Sequence, residues 1–185
     1  MRKPATIGIV LLASFAIPLW LAASGLNPFG NPSAHAVVLL FTRTDCPISN
    51  RYAPEVKRVY DTYSNKGVQF FLVYPDRDET PAAIEKHKSE YGYAMPSLAD
   101  PSHAFVSQAH ATVTPEAAVF VPAPGKSGWR LIYHGRIDDR YVDFGKSRPQ
   151  PSVHDLQNAI EAALAGRTVS PSETKAIGCF IADLR

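Results

Sequence analysis

An uninterrupted apolar run, Val37-Val38-Leu39-Leu40-Phe41, leads directly into Thr42-Arg43-Thr44-Asp45-Cys46-Pro47-Ile48-Ser49. A short run of β-branched and apolar residues reads as a strand buried on both faces. Beyond it, Tyr52, Val56, Tyr60 and Tyr63 recur near helical spacing. Cys46 is therefore placed at a strand-to-helix turn, where free backbone N–H groups and the helix dipole favour an anion. A thiol so placed is predicted to have a lowered pKa and to present a thiolate, the species that does redox and nucleophilic chemistry. The bland alternative is an inert buried cysteine. The chain holds one other cysteine, Cys179, close to its C-terminus.

Of 185 residues, 45% are hydrophobic and 19% charged, which suits one domain with a sizeable core. The formal charge of +2 comes from Arg2 and Lys3, and the rest of the chain is balanced. With no basic stripe there is no argument for a nucleic-acid partner. Arg2-Lys3 followed by the uncharged, mostly apolar stretch from Ile7 to Ala23 reads as a secretory signal or a short membrane anchor. Residues 1–23 are therefore expected to direct export to the periplasm or another extracytoplasmic space, with membrane contact only through this segment. Cleavage near Ala23 and an uncleaved anchor both remain open. Residues 24–36, rich in Gly, Pro, Asn and Ser, read as a linker.

Residues 37–166 are expected to form the domain. A helix after Cys46 runs to about Ser64 and ends at Gly67, a C′ glycine. Strand 68–74 follows, then a helix opened by Thr80-Pro81. A short extended segment covers Pro96 to Asp100, and residues 102–110 form another helix. Strand 117–121 and its hairpin partner 129–134 come next. Residues 135–150 are a charged loop. Ser152-Val153-His154-Asp155 reads as a capping box opening the last helix. Residues 167–185 are a tail carrying Cys179. Alternating strands and helices closed by a hairpin imply an α/β fold: a mixed sheet with helices on both faces.

These features resemble the thioredoxin-like superfamily. The resemblance rests on the strand ending before Cys46, the Cys46-Pro47-Ile48-Ser49 turn, Pro54 in the following helix, and Thr114-Pro115 just before a strand. The helix–strand–helix between residues 81 and 110, with Met95-Pro96-Ser97-Leu98-Ala99-Asp100, is similar to the insertion of peroxiredoxins and TlpA-like thiol oxidoreductases. The nearest group is the redoxin, or alkyl hydroperoxide reductase/thiol-specific antioxidant, type. It implies a thioredoxin-like fold with Cys46 as nucleophile, and a cis Pro115 facing it. It also implies a substrate-binding rim built from Thr44, Ser49, Arg51 and Thr114.

The motifs depart from each named branch. Ser49 stands where Cys-x-x-Cys proteins carry their second cysteine. Leu39 and Arg43 replace the Pro and Thr of the peroxiredoxin motif, so Thr42, Thr44, Arg43 or Arg51 would have to orient a peroxide. Asn50 stands where Sco-like copper carriers have their second thiol. Cys179 is open to three readings: a resolving thiol, half of a fixed disulfide, or a thiol unrelated to Cys46. The expected function is thiol-dependent oxidoreduction, either thiol–disulfide exchange or peroxide reduction. Its partners are an external thiol reductant, a protein disulfide or a peroxide. The alternatives are a Sco-like copper carrier, or a non-catalytic redoxin docking module. No cofactor is called for. None of His35, His87, His103, His110, His134 and His154 sits at metal-motif spacing, so no metal site is predicted.

Overall fold

The computed structural model describes residues 26–125, 128–182 and 184. The leader expected at residues 1–23 lies outside them. Among the described residues, no helix is long and apolar enough to cross a membrane. The chain runs through β1 (Ala36–Phe41), α1 (Pro47–Arg51), α2 (Ala53–Tyr63), β2 (Val68–Tyr74), α3 (Pro81–Tyr91), β3 (Ser97–Ala99) and α4 (Ala104–Ala109). It continues through β4 (Val113–Thr114), β5 (Glu116–Pro122), β6 (Trp129–Gly135), β7 (Tyr141–Asp143), β8 (Lys146–Ser147), α5 (Asp155–Leu164) and β9 (Cys179–Phe180).

The central sheet has five strands in the order β3-β2-β1-β5-β6. β1 pairs parallel with β2 and antiparallel with β5, so it lies in the middle and every one of its residues is buried. Side chains alternate along a strand, and β1 feeds two cores accordingly. Val38 and Leu40 pack with Ile48, Val56, Val59, Leu156 and Ile160 from α1, α2 and α5. Val37, Leu39 and Phe41 pack on the other face with Val106 and Ala109 of α4 and Ile181 of the tail. The mixed sheet with helices on both faces is as expected. So is the insertion: β3 adds parallel to the outer edge of β2, between α3 and α4.

Several local expectations hold for the reasons given. Thr80 caps α3 by accepting the Ala83 N–H at 3.2 Å, with Pro81 as the first helical residue. Gly67 takes the left-handed conformation (φ 79°) after a short 3₁₀ turn. The helix after Cys46 is divided into α1 and α2 at Tyr52, just ahead of Pro54, which has no N–H to continue the ladder.

Other expectations need correction. Helix α5 is not opened by a capping box. Its N-cap is His154, without a side-chain cap bond. Ser152 is drawn away by Asp139, whose carboxylate accepts the Ser152 and Val153 N–H groups and the Ser152 hydroxyl. The 135–150 segment is not simply a solvated loop, since it carries the β7–β8 hairpin and buries both Asp138 and Asp139. Nor do residues 26–35 hang free as a linker. Phe29 stacks edge-on against Phe120 at 5.1 Å, and its carbonyl accepts the Trp129 indole N–H at 3.1 Å.

Candidate active site

The turn carrying Cys46 is fastened before the cysteine is reached. Thr42 N–H donates to the Val73 carbonyl at 2.9 Å as the chain leaves the sheet. Thr44 N–H donates to Glu79 Oε1 at 2.6 Å, and the Thr44 carbonyl accepts from Asn50 Nδ2 at 3.1 Å. Cys46 then occupies the N-cap of α1 in an extended conformation, with Pro47 following. It is only 1% exposed.

Thr114 joins the two cysteines. Its carbonyl accepts the Cys46 thiol at 3.1 Å. The peptide from Thr114 to Pro115 is cis. In the antiparallel pair β4–β9, Thr114 stands opposite Cys179. The tail thus reaches the Cys46 turn, and both cysteines are free thiols beside one another.

The pair is electrostatically unequal. Burial pushes the Cys46 thiol up. Hydrogen bonds from the Cys179 thiol, from the Ser49 hydroxyl and from the Ser49 and Cys179 N–H groups outweigh it, so the net shift is downward. Ser49 Oγ is buried and has no partner while Cys46 is a thiol, which leaves it free to donate once the thiolate forms. Cys179 goes the other way: burial, and then its place as donor to Cys46, push it up to about 12. Cys46 therefore surrenders its proton first.

This is hydrogen-bond activation rather than activation by a cation. Arg43, one of two arginines named above as able to orient a peroxide, spends its guanidinium on Asp76 at 3.0 Å and Asp45 at 3.2 Å. Arg51, the other, is exposed on the last turn of α1 and makes no hydrogen bond or ion pair among the described residues. Cys46, Ser49, Thr114, Pro115 and Cys179 come together. Thr44 serves the turn through its backbone, and Arg51 stays apart.

Sequence reasoning missed the supports beneath the turn. Asn50 is held by His87: its Oδ1 lies 2.9 Å from His87 Nε2, and His87 Nδ1 lies 2.8 Å from the Tyr74 hydroxyl. Because Asn50 Nδ2 donates to Thr44, its Oδ1 must accept, so Nε2 carries the proton and Nδ1 accepts from Tyr74. His87 is neutral in this chain of bonds, and its burial lowers its pKa. On the other side of Cys46, Glu116 is buried next to Pro115 and accepts the Thr112 and Val113 N–H groups at 2.9 and 3.3 Å. No local spacing signals the Asn50–His87–Tyr74 partners, which lie 37 and 13 residues apart.

The tail is fastened at several points. Thr174 N–H donates to the His134 carbonyl at 3.1 Å, and Ile181 N–H to the Thr112 carbonyl at 3.1 Å. A Cβ at Gly178 would stand 2.2 Å from the Thr114 carbonyl oxygen, so only glycine allows the tail to lie this close. Successive residues of a strand face opposite ways. Gly178 and Phe180 accordingly line a cleft of about 650 Å³ together with Val113, Glu116, His110 and His134. His110 lies against His134 in that cleft, ring centroids 5.8 Å apart and tilted.

The family model described as Redoxin matches residues 27–125, which span the strand, the cysteine turn, the insertion and the cis proline. The chain belongs to the Redoxin family. Among solved structures, this redoxin is similar to a hypothetical protein from Sinorhizobium meliloti 1021, at 24% identity and TM-score 0.67, covering 80% of each chain. It is similar also to an uncharacterized conserved protein from Geobacillus kaustophilus, at 26% identity and TM-score 0.65, covering 80% of this chain and 77% of that one. A thioredoxin-like protein solved in its oxidized form matches at 17% identity and TM-score 0.51, covering 72% of this chain and 80% of that one. The redoxin's fold is thus thioredoxin-like. No curated protein matches the chain.

Proposed function

We propose that this redoxin is a thiol-dependent oxidoreductase whose working couple is Cys46 and Cys179. The observation that carries the reading is the unequal pair meeting at Thr114: a lowered Cys46 thiol accepting from a raised Cys179 thiol. With a disulfide substrate, the Cys46 thiolate attacks one sulfur and expels the other as a thiolate. Cys179 then attacks the mixed disulfide, releasing the second substrate thiol and closing a Cys46–Cys179 bond. With a hydroperoxide, the Cys46 thiolate attacks the terminal oxygen, the O–O bond breaks, the alcohol (or water, from hydrogen peroxide) leaves after taking up a proton, and Cys46 becomes a sulfenic acid. Cys179 condenses with it and water leaves. Two equivalents of an external thiol return the couple to its reduced form.

Peroxide is the favoured oxidant of the two, because Cys46 is 1% exposed beneath the tail and a small oxidant meets less obstruction there than a protein disulfide. The apolar leader supports an exported location, where such a couple is permitted. The test is a seconds-long exposure of the reduced full chain to stoichiometric hydrogen peroxide, an alkylating quench, and the intact mass. Loss of two hydrogens with no alkylation supports peroxide reduction by the couple, and Cys46→Ser must abolish it. Two alkylated thiols overturn the peroxidase reading. Repeating the pulse with a small aromatic disulfide then decides whether exchange survives.

A further inference from the structure

Apart from the cysteines, three residues from distant parts of the chain bring ligand atoms together: Glu55 in the first turn of α2, Asp138 in the loop after β6, and His154 at the N-cap of α5. One ligand atom from each lies within 4.8 Å of the others, and His154 Nδ1 is 3.6 Å from Glu55 Oε1. Asp138 is 1% exposed. Its Oδ1 is fully used, accepting the Tyr52 hydroxyl at 2.6 Å and the Arg140 N–H at 2.9 Å. Its Oδ2 is buried with no hydrogen-bond partner, and so is His154 Nδ1. A buried carboxylate oxygen left without a partner is costly, and native structures rarely tolerate one without an ion or water to satisfy it.

The internal ion pairs do not remove this demand. Arg58 grips both oxygens of Glu55, at 2.8 and 2.7 Å, and so offsets one of the two carboxylate charges. Each carboxylate oxygen keeps a further lone pair. Among the described residues nothing pairs with Asp138 Oδ2. We infer that Glu55, Asp138 and His154 form a binding site for a divalent transition-metal cation of the zinc class, with Asp138 Oδ2 and His154 Nδ1 as its principal ligands. One imidazole with two carboxylates suits zinc and its neighbours, whereas calcium and magnesium want oxygen ligands alone. Ligands on a tetrahedral zinc stand roughly 3.3 Å apart, from bonds of about 2.0 Å. Small side-chain movements close the present set onto that geometry. The His154 ring is partly exposed, while its Nδ1 is buried against the two carboxylates.

The site's chemistry is positional. A cation there ties α2, the Asp138 loop and α5 into one cluster. Asp138 Oδ1 in turn holds Tyr52, the residue that joins α1 to α2 directly behind the cysteine turn. The inference is independent of the redox reading.

The test uses the full chain with both Cys46→Ser and Cys179→Ser, so that no thiolate can capture the metal. Zinc is titrated against a chromogenic chelator, and cobalt is added separately for its visible spectrum. The expected result is one zinc per chain, a raised melting temperature, and a cobalt d–d band without the near-ultraviolet thiolate band. His154→Ala, at a partly exposed position, is expected to weaken zinc by at least about tenfold, and isosteric Asp138→Asn to do the same. Excess calcium or magnesium should not compete. Absence of zinc and cobalt binding in the cysteine-free chain overturns the site, and so does binding unchanged by His154→Ala. Should a variant fold poorly, the cobalt spectrum of the unaltered site decides alone: no d–d band, no site.

Discussion

At the scale of single residues, the site turns on how one proton is shared between two sulfurs. Ser49 is the cleanest handle, because its buried hydroxyl is otherwise unpartnered and can donate to the Cys46 thiolate. Ser49→Ala is expected to raise the midpoint of the pH profile for Cys46 alkylation, while Cys179, its thiol pushed up by burial, is alkylated only at higher pH than Cys46. Thiol-specific labelling followed by peptide mass mapping reads both sites in one sample. His87 supplies a second pH test. Its folded pKa is depressed by burial, so the unfolded chain takes up the proton first as pH falls. The stability it contributes is present above the unfolded value of about 6.5 and declines as pH drops below it. Urea unfolding at pH 7.5 and 5.5 should show a loss that His87→Gln reduces. None of the Asn50–His87–Tyr74 chain is legible in the sequence, because its members lie on α1, α3 and β2 and have no common spacing.

At the scale of elements, the strand–turn–helix around Cys46 was fully legible: the apolar run, the proline after the cysteine and Pro54 each impose a local geometry that tertiary context did not override. The capping box failed because Ser152 is bonded instead by the buried Asp139 carboxylate, thirteen residues earlier in the chain. The reach of the tail was equally hidden. β9 has two residues, too few for any periodicity, and its pairing depends on a glycine matching a distant carbonyl. That match makes Gly178→Ala informative. Forcing a methyl group against the Thr114 carbonyl costs about 1–3 kcal/mol. Most of that cost should appear as local release of β9 rather than global unfolding. Alkylation of Cys46 is then expected to accelerate by roughly tenfold or more, with the thermal midpoint little changed.

At the scale of the whole molecule, β1 divides the core into two halves. Leu39 is fully buried in the half that α4 and the tail cover, and Leu39→Ala should cost about 2–5 kcal/mol. Phe29, half-buried on the same face, should cost less than the 3–5 kcal/mol typical of a fully buried phenylalanine when replaced by alanine. Chemical denaturation measures both, and a negligible effect at Phe29 would return residues 26–35 to the status of a linker. Nothing in residues 24–36 advertised that an aromatic from this stretch packs against the sheet. The pairing of Thr114 with Cys179 has a last consequence for traffic at the site. Any extended partner seeking the Thr114 backbone competes with a ligand that is covalently tethered, and a short tether corresponds to an effective concentration of about millimolar. A visitor must therefore outbid the chain's own C-terminus, so weak and chance encounters are filtered out before they reach the sulfur.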